Sequence, residues 1–128
     1  MKPLIAITFS LMWVCFAALT PAAEVPFDQA QYDSMRAAGK PLAVVFHADW
    51  CPTCRAQAPA LKDLAQTPEL RPVTLYVANF DTEKALKKSL RVTQQSTIVV
   101  FKNGKESARS TGDTRRDSLA ALLRQAIP

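Results

Sequence analysis

A single histidine, His47, and three cysteines, Cys15, Cys51 and Cys54, are all the imidazole and thiol ligands in this chain of 128 residues. Cys15 lies in an apolar N-terminal stretch, which leaves three, and a mononuclear zinc site closes with four. No metal site within one chain is therefore expected. Nor is there a long basic block. The net charge of +5 is scattered, with Lys84, Lys87, Lys88 and Arg91 in one group and Arg115 and Arg116 in another. Aromatic residues are not interleaved with these charges, as they are in nucleic-acid binders, so nucleic acid is not an expected partner. Solvated helix faces explain the charge, with a weak attraction to anionic membrane surfaces as the only electrostatic role left open. Internal repeats, linkers and low-complexity segments are also absent. The length suits one domain, and a composition 48% hydrophobic and 21% charged supports an ordinary globular core.

The N-terminus differs from the rest. Lys2 is the only charge before Glu24, and residues 4–19 are apolar except for Thr8 and Ser10. A short positive region, an apolar stretch and the small residues of "LTPAAE" have the form of a secretory signal peptide, cleaved after Ala22 or Ala23. The expected division is a signal peptide over 1–23 and one domain over 24–128. Sixteen residues fall short of the about 20 that a spanning helix needs; an uncleaved inner-membrane anchor facing the periplasm is the runner-up. Trp13 and Val14 stand where a lipidation site would want small residues, so Cys15 reads as an incidental apolar residue. Export would place Cys51 and Cys54 in the periplasm, where disulfides persist. As a structural staple the pair would be weak, because a bridge enclosing two residues constrains the unfolded chain little.

The rest of the chain alternates helix and strand signals. Asp28 can cap a helix through "QAQYDSMRAA", with Gly39 and Pro41 ending it. "LAVVFHA" (42–48) is a continuous apolar run typical of a strand buried on both faces. Pro52 is well placed to start a helix that continues through "TCRAQAPALKDLAQ" and bends at Pro59. "PVTLYVANF" (72–80) reads as a second buried strand, followed by a short helix capped by Asp81 or Thr82. Residues 96–111 read as two strands joined by Asn103-Gly104, a strong hairpin signal. Gly112 and Asp113 lead into a last helix with Leu119, Leu122, Leu123, Ala126 and Ile127 on one stripe. The order α-β-α-β-α-β-β-α predicts an α/β fold with a right-handed parallel crossover and an antiparallel hairpin edge.

"HADWCPTCRAQAP" (47–59) places Cys51 at a helix N-terminus just after a buried strand. Unpaired N–H groups and the helix dipole there favour a thiolate, while Cys54, one turn further in, is shielded and near enough to close a ring. An exposed, acidified thiol attacks a disulfide and its neighbour resolves the mixed disulfide.

Here the chain resembles the thioredoxin superfamily, over essentially all of residues 24–128. "ADWCPTC" is similar to the active-site signature, Pro59 falls at the family's helix kink, "STIVVFKNGK" is similar to the strand-turn-strand after the cis-proline, and Gly112 fits the glycine before the last helix. The resemblance implies a thioredoxin fold, a central mixed sheet flanked by helices. It also implies a redox-active Cys51–Cys54 disulfide with Cys51 as nucleophile and Cys54 as resolving thiol, and no cofactor. With the signal peptide, the chain looks most like periplasmic thioredoxin-like proteins and the soluble domains of membrane reductant conductors.

Three departures stand out. Ser96 occupies the cis-proline position; a cis bond before a non-proline residue costs about 2.5–4 kcal/mol, so Gln95–Ser96 is expected to be trans or strained. Ser96 brings an N–H and a hydroxyl that proline lacks, so substrate binding and the release of mixed disulfides are expected to change. Val45 replaces the buried acid six residues before the first cysteine, and Val77 replaces its lysine partner; losing both avoids an unpaired buried charge. His47 shares the parity of Val45 and is the candidate proton acceptor for Cys54, with packing as the plainer role. Asp49 is expected in solvent. Between the cysteines, Pro52-Thr53 resembles the proline-first layout of periplasmic oxidants but lacks their cationic histidine. The potential is therefore expected toward the reducing end of roughly −270 to −120 mV.

The function expected is a periplasmic thiol–disulfide oxidoreductase, soluble and monomeric, that reduces protein disulfides and is recharged by a membrane thiol donor. Trp50, Gln95 and Ser96, with the loop 93–95, would form its substrate surface. The alternatives are a disulfide oxidant or isomerase, a metal or iron–sulfur module in which two chains pool four thiolates, and a redox-silent partner-binding domain.

Overall fold

The computed structural model describes residues 24–128; the segment expected to be a signal peptide lies outside the described residues. Its elements are β1 (Glu24–Pro26), α1 (Gln29–Ala37), β2 (Leu42–His47), α2 (Pro52–Ala65), β3 (Thr74–Asn79), α3 (Lys84–Leu90), β4 (Thr97–Lys102), β5 (Lys105–Thr111) and α4 (Arg116–Arg124).

The apolar run of β2 dictates its central place. Leu42 to Phe46 are all buried, so their backbone polar groups need strands on both sides. β3 supplies one side in parallel and β4 the other in antiparallel register. The sheet order is β1-β3-β2-β4-β5, mixed and five-stranded, flanked by helices as the sequence predicts. Asp28 caps α1 by accepting the Gln31 N–H at 2.8 Å.

Alternation along β2 divides the core. Ala43 and Val45 pack on one face with Leu61 and Leu64 of α2 and Leu119 and Leu123 of α4. Leu42, Val44 and Phe46 pack on the other with Tyr32 of α1 and Leu86 and Leu90 of α3. Each fully buried Leu or Phe side chain contributes about 1.5–3 kcal/mol, so α2 is clamped firmly across the sheet, its first turn at the C-terminal end of β2.

Two details differ from the sequence expectations. β1 is an added strand, pairing Glu24 with Leu75 and Pro26 with Val77 at the edge of β3. Three residues are too few to show a period, and the edge position accommodates Pro26, which has no N–H to donate. α3 begins after Glu83, not after an Asp81 or Thr82 cap, and Glu83 makes no side-chain capping bond. The Asn79 side chain accepts the Asp81 and Thr82 N–H groups instead, at 2.9 and 3.2 Å, which holds the turn non-helical for longer.

Candidate functional site

Pro52 stands at the first position of α2 with Cys51 as its N-cap. The Cys51 Sγ accepts the backbone N–H of Cys54 at 3.2 Å, as a capping side chain does for the free N–H groups of a first turn. Both cysteines are buried, Cys51 2% and Cys54 1% exposed, and pack with Ala48 and Phe80. Cys51 is thus more enclosed than the exposed nucleophile expected from its helix-end position, with the Ser96 hydroxyl 3.5 Å from its sulfur.

Ser96 is the organising residue of the site. The Gln95–Ser96 bond is trans, like every peptide bond of the described residues, and Ser96 has a φ of +59°. That left-handed conformation costs an L-residue about 1–2 kcal/mol. It is held by the Ser96 N–H donating to Phe46 O at 2.8 Å and by Gly112 N–H donating to Ser96 O at 3.0 Å. Gln57, 1% exposed, adds Nε2 bonds to Ser96 O at 3.4 Å and Asp113 O at 2.8 Å. The Ser96 N–H is therefore used inside the protein. What the residue adds to the site is its hydroxyl, 2.9 Å from Cys54 Sγ and 3.5 Å from Cys51 Sγ.

The two thiols are polarised in opposite directions. Burial alone would raise Cys51, but hydrogen bonds from Cys54, from the Ser96 hydroxyl and from the Cys54 and Thr53 backbone outweigh it and bring it below the ordinary thiol value. Burial pushes Cys54 up, the Cys51 sulfur beside it pushes further, and Ser96 and the Ala48 backbone only partly oppose them. The arrangement gives one ionisable sulfur and one that keeps its proton.

Around this pair the predicted residues divide. Trp50 is 58% exposed beside Cys51, its Nε1–H donating to Asp81 Oδ2 at 2.8 Å. Gln95 is half-buried next to Ser96, and among the described residues nothing bonds its backbone N–H or C=O. His47 lies on the Cys54 side of the sheet as its parity predicts, yet its Nε2 lies 3.0 Å from Oδ1 of the fully exposed Asp49 and it bonds neither sulfur. Val45 and Val77 are direct register partners on β2 and β3. With His47, Cys54, Gln57 and Glu24, they line a cavity of about 170 Å³. Burial raises the Glu24 carboxyl there, against the lowering by Lys62 and His47.

Sequence reasoning missed Glu24 and Gln57. Glu24 reaches the cavity only through β1. Gln57 looks like any polar helix residue, although its position in the second turn of an otherwise amphipathic helix, on the face of Cys54 and Leu61, was a readable signal. Among the described residues no group of three or more His, Cys, Asp or Glu side chains could hold a metal ion.

Comparison with known proteins agrees with this geometry. The sequence model of the thioredoxin family matches residues 24–125. A Chlamydia pneumoniae thioredoxin is 36% identical over 92 residues, covering 72% of this chain and 87% of its own. A Schizosaccharomyces pombe protein carrying a protein disulfide-isomerase name is 30% identical over 107 residues, 83% of this chain but only 22% of that longer protein. The crystal structure of Trxlp from Edwardsiella tarda superposes with a TM-score of 0.74 at 39% identity, covering 77% of this chain and 95% of that one. With a mixed sheet flanked by four helices and a close cysteine pair at the first turn of α2, this chain belongs to the thioredoxin family and is a thiol–disulfide oxidoreductase.

Proposed function

We propose that the protein is an exported, periplasmic reductant of protein disulfides, with Cys51 as nucleophile and Cys54 as resolving thiol. The opposite polarisation of the two sulfurs carries this reading. Cys51, lowered by hydrogen bonds after burial has raised it, is the better thiolate; Cys54, raised by burial, is the better reserve. The Cys51 thiolate attacks one sulfur of a substrate disulfide, and the first substrate sulfur departs with the electron pair of the broken bond. Cys54 then attacks Cys51 Sγ, forming the Cys51–Cys54 disulfide and releasing the second substrate thiol. Two electrons pass from the pair to the substrate, and a membrane thiol donor restores them.

What surrounds Cys51 supports the reducing direction. Its donors are the Cys54 N–H and the Ser96 hydroxyl, both neutral, and Thr53 carries no charge. A strong oxidant needs a more heavily stabilised thiolate, because its reduced form must be the favoured one. The exposed ring of Trp50 and the free backbone groups of Gln95 offer an extended substrate segment one apolar and one hydrogen-bonding contact. Metal content of the purified protein tests the rival in which two chains pool four thiolates on a metal. Export rests on the charge and hydropathy pattern of residues 1–23.

The reduction potential of Cys51–Cys54 tests the reading. A value toward the reducing end of the range of roughly −270 to −120 mV is expected, and one near −120 mV would make the protein an oxidant instead. N-terminal sequencing of protein recovered from the periplasm should begin at Ala23 or Glu24.

A further inference from the structure

Cys54 must lose its proton during each turnover, yet it is 1% exposed. Among the described residues, the one side-chain oxygen or nitrogen bonded to its sulfur is the Ser96 hydroxyl, at 2.9 Å. The same oxygen lies 3.5 Å from Cys51 Sγ, the atom to which a substrate sulfur is joined in the mixed disulfide. Ser96 cannot easily swing away. Its N–H and C=O are committed to Phe46 and Gly112, and with its φ at +59° its hydroxyl lies within reach of both sulfurs. A hydroxyl accepts and donates at once, which a single-proton base does not.

We propose that Ser96 is a catalytic residue that passes the Cys54 proton to the substrate sulfur leaving Cys51. The proposal rests on the exchange reaction at Cys51 and Cys54. In the resting pair, Ser96 Oγ–H donates to the Cys51 thiolate while Oγ accepts from Cys54 S–H. In the mixed disulfide, Cys54 Sγ forms its bond to Cys51 Sγ as its proton moves to Ser96 Oγ. The hydroxyl's own proton moves to the substrate sulfur, which takes both electrons of the breaking bond to Cys51. One S–S bond forms, one breaks, one proton crosses from Cys54 to the departing thiol, and Ser96 is neutral before and after. The step needs no external base or oxidant. The competing exit is the cavity on the other side of Cys54, through Glu24 or His47, which bond neither sulfur.

The two routes separate by leaving group. The reduced full-length mature protein is mixed with an alkyl disulfide, a fluorescent derivative of glutathione disulfide, or with an aryl disulfide, Ellman's reagent. Formation and resolution of the Cys51 mixed disulfide are followed by stopped flow in the wild type, Ser96→Gly, Ser96→Thr, Glu24→Gln and His47→Gln. Glycine accepts the left-handed backbone, so Ser96→Gly removes the hydroxyl with little strain. The expected result is resolution slowed on the order of 10²-fold with the alkyl probe and far less with the aryl one, whose thiolate leaves without a proton. Ser96→Thr should recover much of the loss.

Resolution by Ser96→Gly at the wild-type rate, or slowing equal for both probes, would overturn the proposal. So would slowing by Glu24→Gln or His47→Gln alone. Should the Ser96 variants fold poorly, the wild type still decides: a solvent deuterium effect on resolution with the alkyl probe but not the aryl probe supports the relay, and its absence removes it. A wild type that forms no mixed disulfide at all would instead contradict the exchange reading itself.

Discussion

The two ends of strand β4 both turn on left-handed residues, and they use them for different ends. At the far end, Asn103 (φ +52°) and Gly104 (φ +77°) make the hairpin to β5. These are the residue types that adopt this conformation at least cost, and the turn is tied down by Arg36, whose Nε and Nη2 donate to Gly104 O at 3.3 and 2.9 Å. At the near end, Ser96 (φ +59°) does the same with a residue that has no such preference. The far end is local structure in agreement with its sequence. The near end is strain held by three hydrogen bonds to the Ser96 backbone, and its product is a hydroxyl between two sulfurs. Strain of this kind at a reactive centre marks function, whereas a matched turn marks folding.

The contrast predicts that substitutions near the cysteines change chemistry and those at the hairpin change stability. The largest effect is at the sulfurs. Cys51→Ser should reduce insulin reduction to the uncatalysed background, and Cys54→Ser should stall the protein as a mixed disulfide visible by mass spectrometry. Neither should move the unfolding midpoint much, since each changes one buried atom.

Gly104→Ala should do the reverse. Its Cβ would lie 2.7 Å from Arg36 O, and the left-handed backbone adds about 1–2 kcal/mol; urea denaturation should show at least that loss, with exchange per folded molecule unchanged. Asn103→Ala should cost less, about 1 kcal/mol, again without a kinetic effect. Smallest in stability is Ser96→Gly. Relief of the backbone offsets the lost hydroxyl bonds, worth about 0.5–1.5 kcal/mol, so the midpoint should hardly shift while the chemistry changes. A large loss of stability in Ser96→Gly, or a kinetic effect in Gly104→Ala, would dissolve the distinction between the ends.

The same contrast explains what the sequence disclosed. The Asn103-Gly104 turn, the buried run of β2 and the Cys51–Cys54 pair on the first turn of α2 were legible because local preference and tertiary place agree there. β1 was not, because three residues carry no period and its partner β3 lies some fifty residues away in sequence. The α3 start was misplaced because Asn79, not the residue before the helix, satisfies the free N–H groups. At the site, Ser96 was recognisable as a departure, and so were Val45 and Val77. Its aim at both sulfurs was not, since that depends on a backbone angle that serine seldom adopts. The cavity shared by Glu24, His47 and Cys54 likewise exists only once β1 is docked on β3.

The claim that Ser96 polarises the pair has a direct test in the pH dependence of Cys51 alkylation by iodoacetamide, compared between the wild type and Ser96→Gly. A thiol reacts as thiolate, so the rate rises with pH through the Cys51 midpoint and then levels. With its donors in place Cys51 lies below the ordinary value, so the wild-type midpoint should fall below that of a free cysteine, about 8.5. Removing the Ser96 hydroxyl removes one of the bonds that lower it, so the midpoint should move up toward that value. Superimposable curves for the two proteins would show that the hydroxyl between the sulfurs has no hold on Cys51, and the account given for Ser96 would be wrong.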